Sequence, residues 1–208
     1  MDLEARWASK WRGVSPKEAI QSTWAELYER YTADDRAYHT LGHIAQCLDQ
    51  LDRFLHLAKN PGLIEVALWY HDVVYDTHAK DNEAQSAEFA KKHLRLLRTG
   101  DQYRDRVAQL IMATTHTVHF EESRGDERLI ADIDLTGLGV PWEAYKTYSD
   151  AIRHEYRWVS MPDYKRGRAE VLRSFLDRPH IYNHFQLRHV YEVRARENLA
   201  REIAELGT

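Results

Sequence analysis

Ala67-Leu68-Trp69-Tyr70-His71-Asp72-Val73-Val74-Tyr75 sets a histidine and a carboxylate side by side in an otherwise apolar run. A run of this kind is destined for the interior, where polar groups need partners. Two arrangements satisfy the pair. In one, Asp72 fixes the tautomer of a core His71. In the other, imidazole nitrogen and carboxylate oxygen both bind a divalent cation, for which they are ordinary ligands. The choice turns on whether the rest of the chain supplies more ligands.

Around this run the chain reads as helix after helix. Ser15-Pro16-Lys17-Glu18 has the form of a capping box with proline at the first helical position, predicting a helix to about Tyr31. Leu41, Ile44, Leu48, Leu51 and Leu55 recur at steps of three and four, predicting an amphipathic helix over about 40–58. Asn60-Pro61-Gly62 breaks it, and the run holding His71-Asp72 is the next helix, ending near Asp76-Thr77. Further helices are expected over about 82–97, through Val107 to Thr114, and through Leu129 to Leu135. Pro141-Trp142-Glu143 opens one to about Val159, and Met161-Pro162-Asp163 reads as a turn. Helices over 166–176 and about 186–206 complete the pattern. Strand-type alternation is scarce and no linker separates two parts, so the expectation is an all-α fold with 1–208 as one domain.

The bulk properties fit that expectation. With 43% hydrophobic and 30% charged residues, 208 residues describe a soluble globular chain able to bury a sizeable core. The single cysteine, Cys47, allows no internal disulfide, and the charged N-terminus has no apolar signal core. No stretch approaches the roughly 18 apolar residues of a membrane helix, so a cytoplasmic protein without a membrane partner is expected. The net charge of −4 argues against general nucleic-acid binding. A small phosphorylated molecule needs only local charge and stays compatible with it. Of the twelve histidines, His56, His78, His93, His154 and His189 stand alone among charged or mixed neighbours. His180 and His184 have i, i+4 spacing but follow Pro179 in a polar stretch.

Two further segments carry candidate ligands. In Tyr38-His39-Thr40-Leu41-Gly42-His43 the two histidines are four apart at the start of a predicted helix, and that spacing puts both on one face. Exposed or satisfied histidines would give the same pattern. Ala131-Asp132-Ile133-Asp134-Leu135 sets carboxylates in another apolar stretch, where Asp132 suits a cap or surface position and Asp134 sits beside a buried face. The order is therefore His43, then His71-Asp72, then Asp134, on three predicted helices. Two imidazoles and two carboxylates would hold one divalent ion with positions left open, as a catalytic site requires. Such an ion acidifies water and polarises a phosphoryl oxygen.

His43, His71-Asp72 and Asp134 on a helical chain resemble the HD superfamily of metal-dependent phosphohydrolases, and within it a bacterial group of predicted HD phosphohydrolases. The segments Tyr38 to Ile44, Ala67 to Asp76, Asp81-Asn82-Glu83-x-x-Ser86-Ala87 and Asp132-Ile133-Asp134-Leu135 are all similar to that group. So are Leu138-Gly139, Arg153-x-Glu155-Tyr156, Gly167-Arg168 and the stretch from Glu192 to Leu199. The resemblance spans nearly the whole chain. It implies an HD-type helical bundle with additional C-terminal helices, and a divalent ion (Mn, Mg, Fe, Zn or Ni) on His43, His71, Asp72 and Asp134.

It also implies roles. In the superfamily's cyclic-nucleotide phosphodiesterases the second histidine of a similar opening binds metal and the first protonates the leaving group. That makes His39 a candidate general acid, a role that imidazole chemistry suits. Alarmone hydrolases have a similar stretch with a glutamate before the residue matching Asp76. Tyr75 stands there in this chain, so the resemblance does not carry alarmone hydrolysis with it. Asp76 remains, and Glu83 is a candidate base. Members with two metals use extra histidines before the last aspartate, which makes His116, with His119 nearby, a candidate second-ion ligand. A helix C-terminal histidine facing the dipole is the other reading. Arg153, Lys165 and Arg168 are candidates for phosphate capture, or else surface or structural charges. Tyr156 and Trp158 suit the core better than a stacking role. The implied activity is of the phosphatase or phosphodiesterase type on a small phosphorylated metabolite, foremost a nucleotide. A di-iron oxygenase and a non-catalytic nucleotide sensor are the alternatives, and homo-oligomerisation is left open.

Overall fold

The computed structural model describes residues 1–116 and 125–207. Among these every regular element is helical and there is no strand, as the periodicity predicts. By internal packing the chain divides into two compact units, Met1–Ile130 and Ala131–Thr208. No helix among the described residues is long and apolar enough to cross a membrane.

In the first unit, α1 (Leu3–Trp11) is capped by the Asp2 carboxylate, which accepts from the Ala5 N–H. The helix escaped the sequence reading because it is short and mostly polar. Its Trp7 and Trp11 are buried, and Trp7 meets Trp69 and Tyr70 edge-on at 5.6 and 5.8 Å. The next helix, α2 (Lys17–Tyr31), starts as expected but without a capping box. The Ser15 hydroxyl donates instead to the Leu97 carbonyl, 82 residues away. Burial along α3 (Leu41–Arg53) follows Ile44, Cys47, Leu48 and Leu51, a stripe for the core. Leu55 is exposed, because the chain leaves α3 at Phe54 and enters a short 3-10 turn. Pro61 opens α4 (Pro61–Tyr70), which packs on α3 and on α6 (Asp101–Met112), while α5 (Asn82–Leu96) packs on α6.

The end of α4 corrects the sequence reading, which ran this helix on to Asp76-Thr77. It stops at Tyr70 and His71 is its C-cap. Its last carbonyls are taken from outside the ladder: Leu68 O by His71 Nδ1, Trp69 O by the Tyr31 hydroxyl, Tyr70 O by the Val73 N–H. His71 and Asp72 therefore sit in a turn.

The helix α7 (Gly125–Asp134) begins in the first unit, where Asp126 accepts from the Lys59 and Asn60 backbone N–H groups. In the second unit, Asp132 is fully buried and is neither a cap nor a surface residue. Its carboxylate accepts from the Asn183 and His184 N–H groups, from the Asn183 amide and from His184 Nδ1. The long helix expected to Val159 is shorter, α8 (Trp142–Glu155). Met161-Pro162-Asp163 is the first turn of α9 (Met161–Leu176), not a loop, because Ser160 caps the Asp163 N–H and proline suits a first turn. The expected helix over 186–206 is interrupted: α10 (Phe185–Leu187) leads through a π-helical turn, Arg188–Glu192, into α11 (Val193–Leu206). The turn presses Tyr191 onto Gly139, where an added Cβ would lie 2.7 Å from Tyr191 Cβ. Trp158 is exposed and not core, while Tyr156 is half-buried near Tyr164.

Candidate metal centre

Two segments of the first unit bring the candidate ligands His43, His71 and Asp72 together. Thr40 caps α3 by accepting from the Gly42 N–H, which fixes where the helix begins and places His43 in its first turn, 4% exposed. His71 ends α4 and is 1% exposed, and Asp72 follows it. The packing of α3 on α4 brings the two imidazoles together nitrogen to nitrogen, Nε2 to Nε2, at 3.1 Å. The Asp72 carboxylate closes the group: Oδ2 lies 3.0 Å from His71 Nε2 and 3.4 Å from His43 Nε2.

The tautomer of His71 follows from its other nitrogen. Nδ1 is 2.9 Å from the Leu68 carbonyl, which can only accept, so Nδ1 carries the proton and Nε2 of the neutral ring is a lone pair. A lone pair facing a second imidazole nitrogen at 3.1 Å calls for a proton or a cation between them. The carboxylate fits that demand. Burial by itself would raise the Asp72 pKa, but the neighbouring imidazoles of His71, His39 and His43 outweigh it and hold the carboxyl well below its ordinary range.

The donors fit a divalent ion. Two ligands about 2.1 Å from a common ion lie about 3.0 Å apart at a right angle and about 3.4 Å apart at the tetrahedral angle. The three separations of 3.1, 3.0 and 3.4 Å fall on that range. His43 Nε2, His71 Nε2 and Asp72 Oδ2 would hold the ion, which would supply a Lewis acid.

His39 joins this group at its edge. Its Nε2 is 4.0 Å from Asp72 Oδ2, and its ring stacks on Tyr75 with centroids 3.7 Å apart. Tyr38 packs against both His39 and His43. Cys47 was not singled out by the sequence reading, although it stands four residues after His43 and so on the same face. It is buried, and one ligand atom from each of His43, Cys47 and His71 lies within 4.8 Å of the others.

Asp76 is exposed, and its Oδ1 accepts from the His78 N–H and Nδ1, whose hydrogen bonds lower its pKa. Glu83 is half-buried in the first turn of α5, where a carboxylate favours the helix dipole. His116 caps a 3-10 turn, Ala113–Thr115, in the left-handed region at φ 55°. His119 lies outside the described residues.

Asp134, Arg153, Lys165 and Arg168 belong to the second unit. Asp134 is the half-buried last residue of α7, and Lys165 is half-buried on α9. The two arginines have structural partners. Arg153 donates to the Tyr156 and Val159 carbonyls, closing the turn after α8. Arg168 makes a bidentate pair with Glu202 at 2.8 and 3.2 Å, and Tyr145 donates to the same carboxylate. His184 is held by Asp132 and makes no pair with the exposed His180. His93, read as one of the isolated histidines, is 3% exposed and lies between Glu26 and the Tyr70 hydroxyl. No family model, curated protein or solved structure matches this chain.

Proposed function

We propose that the chain is a metal-dependent phosphohydrolase of the HD type, acting on a small phosphorylated metabolite, foremost a nucleotide. The observation that carries this reading is the set of three buried or half-buried donor atoms, two imidazole nitrogens and one carboxylate oxygen, 3.0–3.4 Å apart. Asp134 is the fourth ligand that the sequence resemblance calls for. When bound, a divalent ion supplies Lewis acidity toward a phosphoryl oxygen and toward water.

The protein's own groups would do the rest. His71 can offer its Nε2 lone pair to an ion because the Leu68 carbonyl holds its Nδ1 proton. Asp72 offers a carboxylate already ionised at neutral pH. His39, half-buried and stacked on Tyr75, would hand a proton to a departing alkoxide. Arg153 and Arg168 are committed to their own unit, so a phosphate clamp would have to come from Lys165 or from other cations.

The test combines metal and turnover. The protein should take up a divalent ion and release phosphate from at least one member of a nucleotide panel supplied with manganese, magnesium or iron. His71→Ala and Asp72→Ala should keep the helical circular-dichroism spectrum and lower turnover by at least about a hundredfold, the scale of losing a major transition-state contact. Undiminished turnover in those variants would remove the site. Oxygen uptake with two bound irons would identify an oxygenase instead.

A further inference from the structure

We infer that Arg36 is the positioning residue of this metal centre, a role that rests on the metal reading above. Arg36 lies in the connection between α2 and α3 and is half-buried. Its guanidinium joins two stretches of chain. Nη1 donates to the His39 carbonyl at 3.0 Å and to the Asp72 carbonyl at 2.7 Å, and Nη2 donates to the Val73 carbonyl at 2.9 Å. One stretch leads into His43, and the other carries His71 and Asp72.

The chemistry of the group suits the task. Asp72 and Val73 lie beyond the end of α4, where no helical N–H reaches their carbonyls. A planar fork with several fixed N–H bonds can take both and still reach the His39 carbonyl, whereas an ammonium is a compact point charge. The fork is itself held, with its carbon 5.0 Å from the Tyr31 ring centroid and 5.9 Å from that of Tyr75. Tyr31 in turn donates to the Trp69 carbonyl, on the last turn of α4. Arg36 thus sets the spacing between the His43 segment and the His71-Asp72 turn, and the two donor separations from His43, to His71 and to Asp72, depend on that spacing. It touches none of the donor atoms in any of these bonds.

The experiment is a Co2+ titration of the full chain, followed by the visible d–d absorption of the bound ion, with thermal melts of the metal-free protein alongside. Arg36→Ala should bind Co2+ about 10–100-fold more weakly than wild type, the range for losing a group that orients ligands. Millimolar methylguanidinium should recover part of that loss, which a nonspecific loss of stability would not allow. Arg36→Lys keeps the charge without the fork and should also bind Co2+ more weakly, so it decides the matter if Arg36→Ala does not fold. Wild-type Co2+ affinity in the folded variants, whatever their melting temperature, overturns the role of Arg36 alone. A wild-type chain that takes up no Co2+ removes the metal reading, and the role with it.

Discussion

Cys47 shows how much depends on the direction of a single side chain. Its Sγ is 3.6 Å from His43 Nε2 and 3.8 Å from His43 Nδ1. Near-equal distances to both nitrogens place the sulfur beside the ring, off the Nε2 lone-pair axis along which an ion would lie. A thiolate sharing an ion with Nε2 would stand distinctly farther from Nδ1. The centre should therefore bind through nitrogen and oxygen. The Co2+ protein is expected to lack an intense thiolate-to-cobalt band in the near ultraviolet. Cys47→Ala should hold Co2+ at wild-type affinity and cost about 1 kcal/mol of stability, an ordinary value for a core substitution. A strong near-ultraviolet band that disappears in the variant would show the thiol swinging onto the ion.

Three helices of the first unit meet at a third buried histidine. His93 on α5 lies 3.1 Å from Glu26 on α2 through Nε2, and its Nδ1 is 3.3 Å from the hydroxyl of Tyr70 on α4. Burial lowers its pKa below the ordinary 6.5, outweighing the opposing pull of Glu26. The sign follows from linkage. With the folded pKa below the unfolded one, the unfolded chain binds the proton more readily as pH falls through 6.5, so stability drops there. The loss levels off once pH passes below the folded pKa, and above 6.5 the contribution is fully present. Melting temperatures measured downward from pH 7.5 should decline across this window, and His93→Gln should make the decline shallower. An identical slope in the variant would mean that His93 does not couple these helices to pH. The sequence marked His93 as one of several isolated histidines, because its partners are 67 and 23 residues away.

At the scale of the molecule, each unit buries large side chains of its own. Trp7, Leu27, Ile44, Leu68, Trp69 and Leu110 are fully buried in the first, and Tyr145, Leu172, Tyr182 and Leu199 in the second. The described donor set of His43, His71 and Asp72 belongs to the first unit. Binding to the folded state alone adds stability of RT ln(1 + [L]/Kd), roughly 2.7 kcal/mol at 100 times the Kd. Calorimetry with Co2+ at that excess should show the folded chain stabilised by that free energy. The His71→Ala protein should show no shift. An equal rise in the variant would place the ion elsewhere.

The sequence by itself determined the all-helical class and singled out His43, His71, Asp72 and Asp134 as candidate ligands. Helical periodicity and side-chain chemistry are local properties, and apolar spacing such as Ile44-Leu48-Leu51 is legible without coordinates. It misplaced the end of α4 because one of the groups that cap it, the Tyr31 hydroxyl, reaches the Trp69 carbonyl from 38 residues away. It read Asp132 as a surface or capping residue, since its partners lie more than fifty residues ahead. It offered Arg153 and Arg168 to phosphate, while the fold gives them carbonyls and a buried carboxylate. Only the tertiary structure decided that two imidazoles and a carboxylate stand 3.0–3.4 Å apart, and that Arg36 and Tyr75 brace them. Distances between segments are set by packing, and packing partners are chosen by the whole chain.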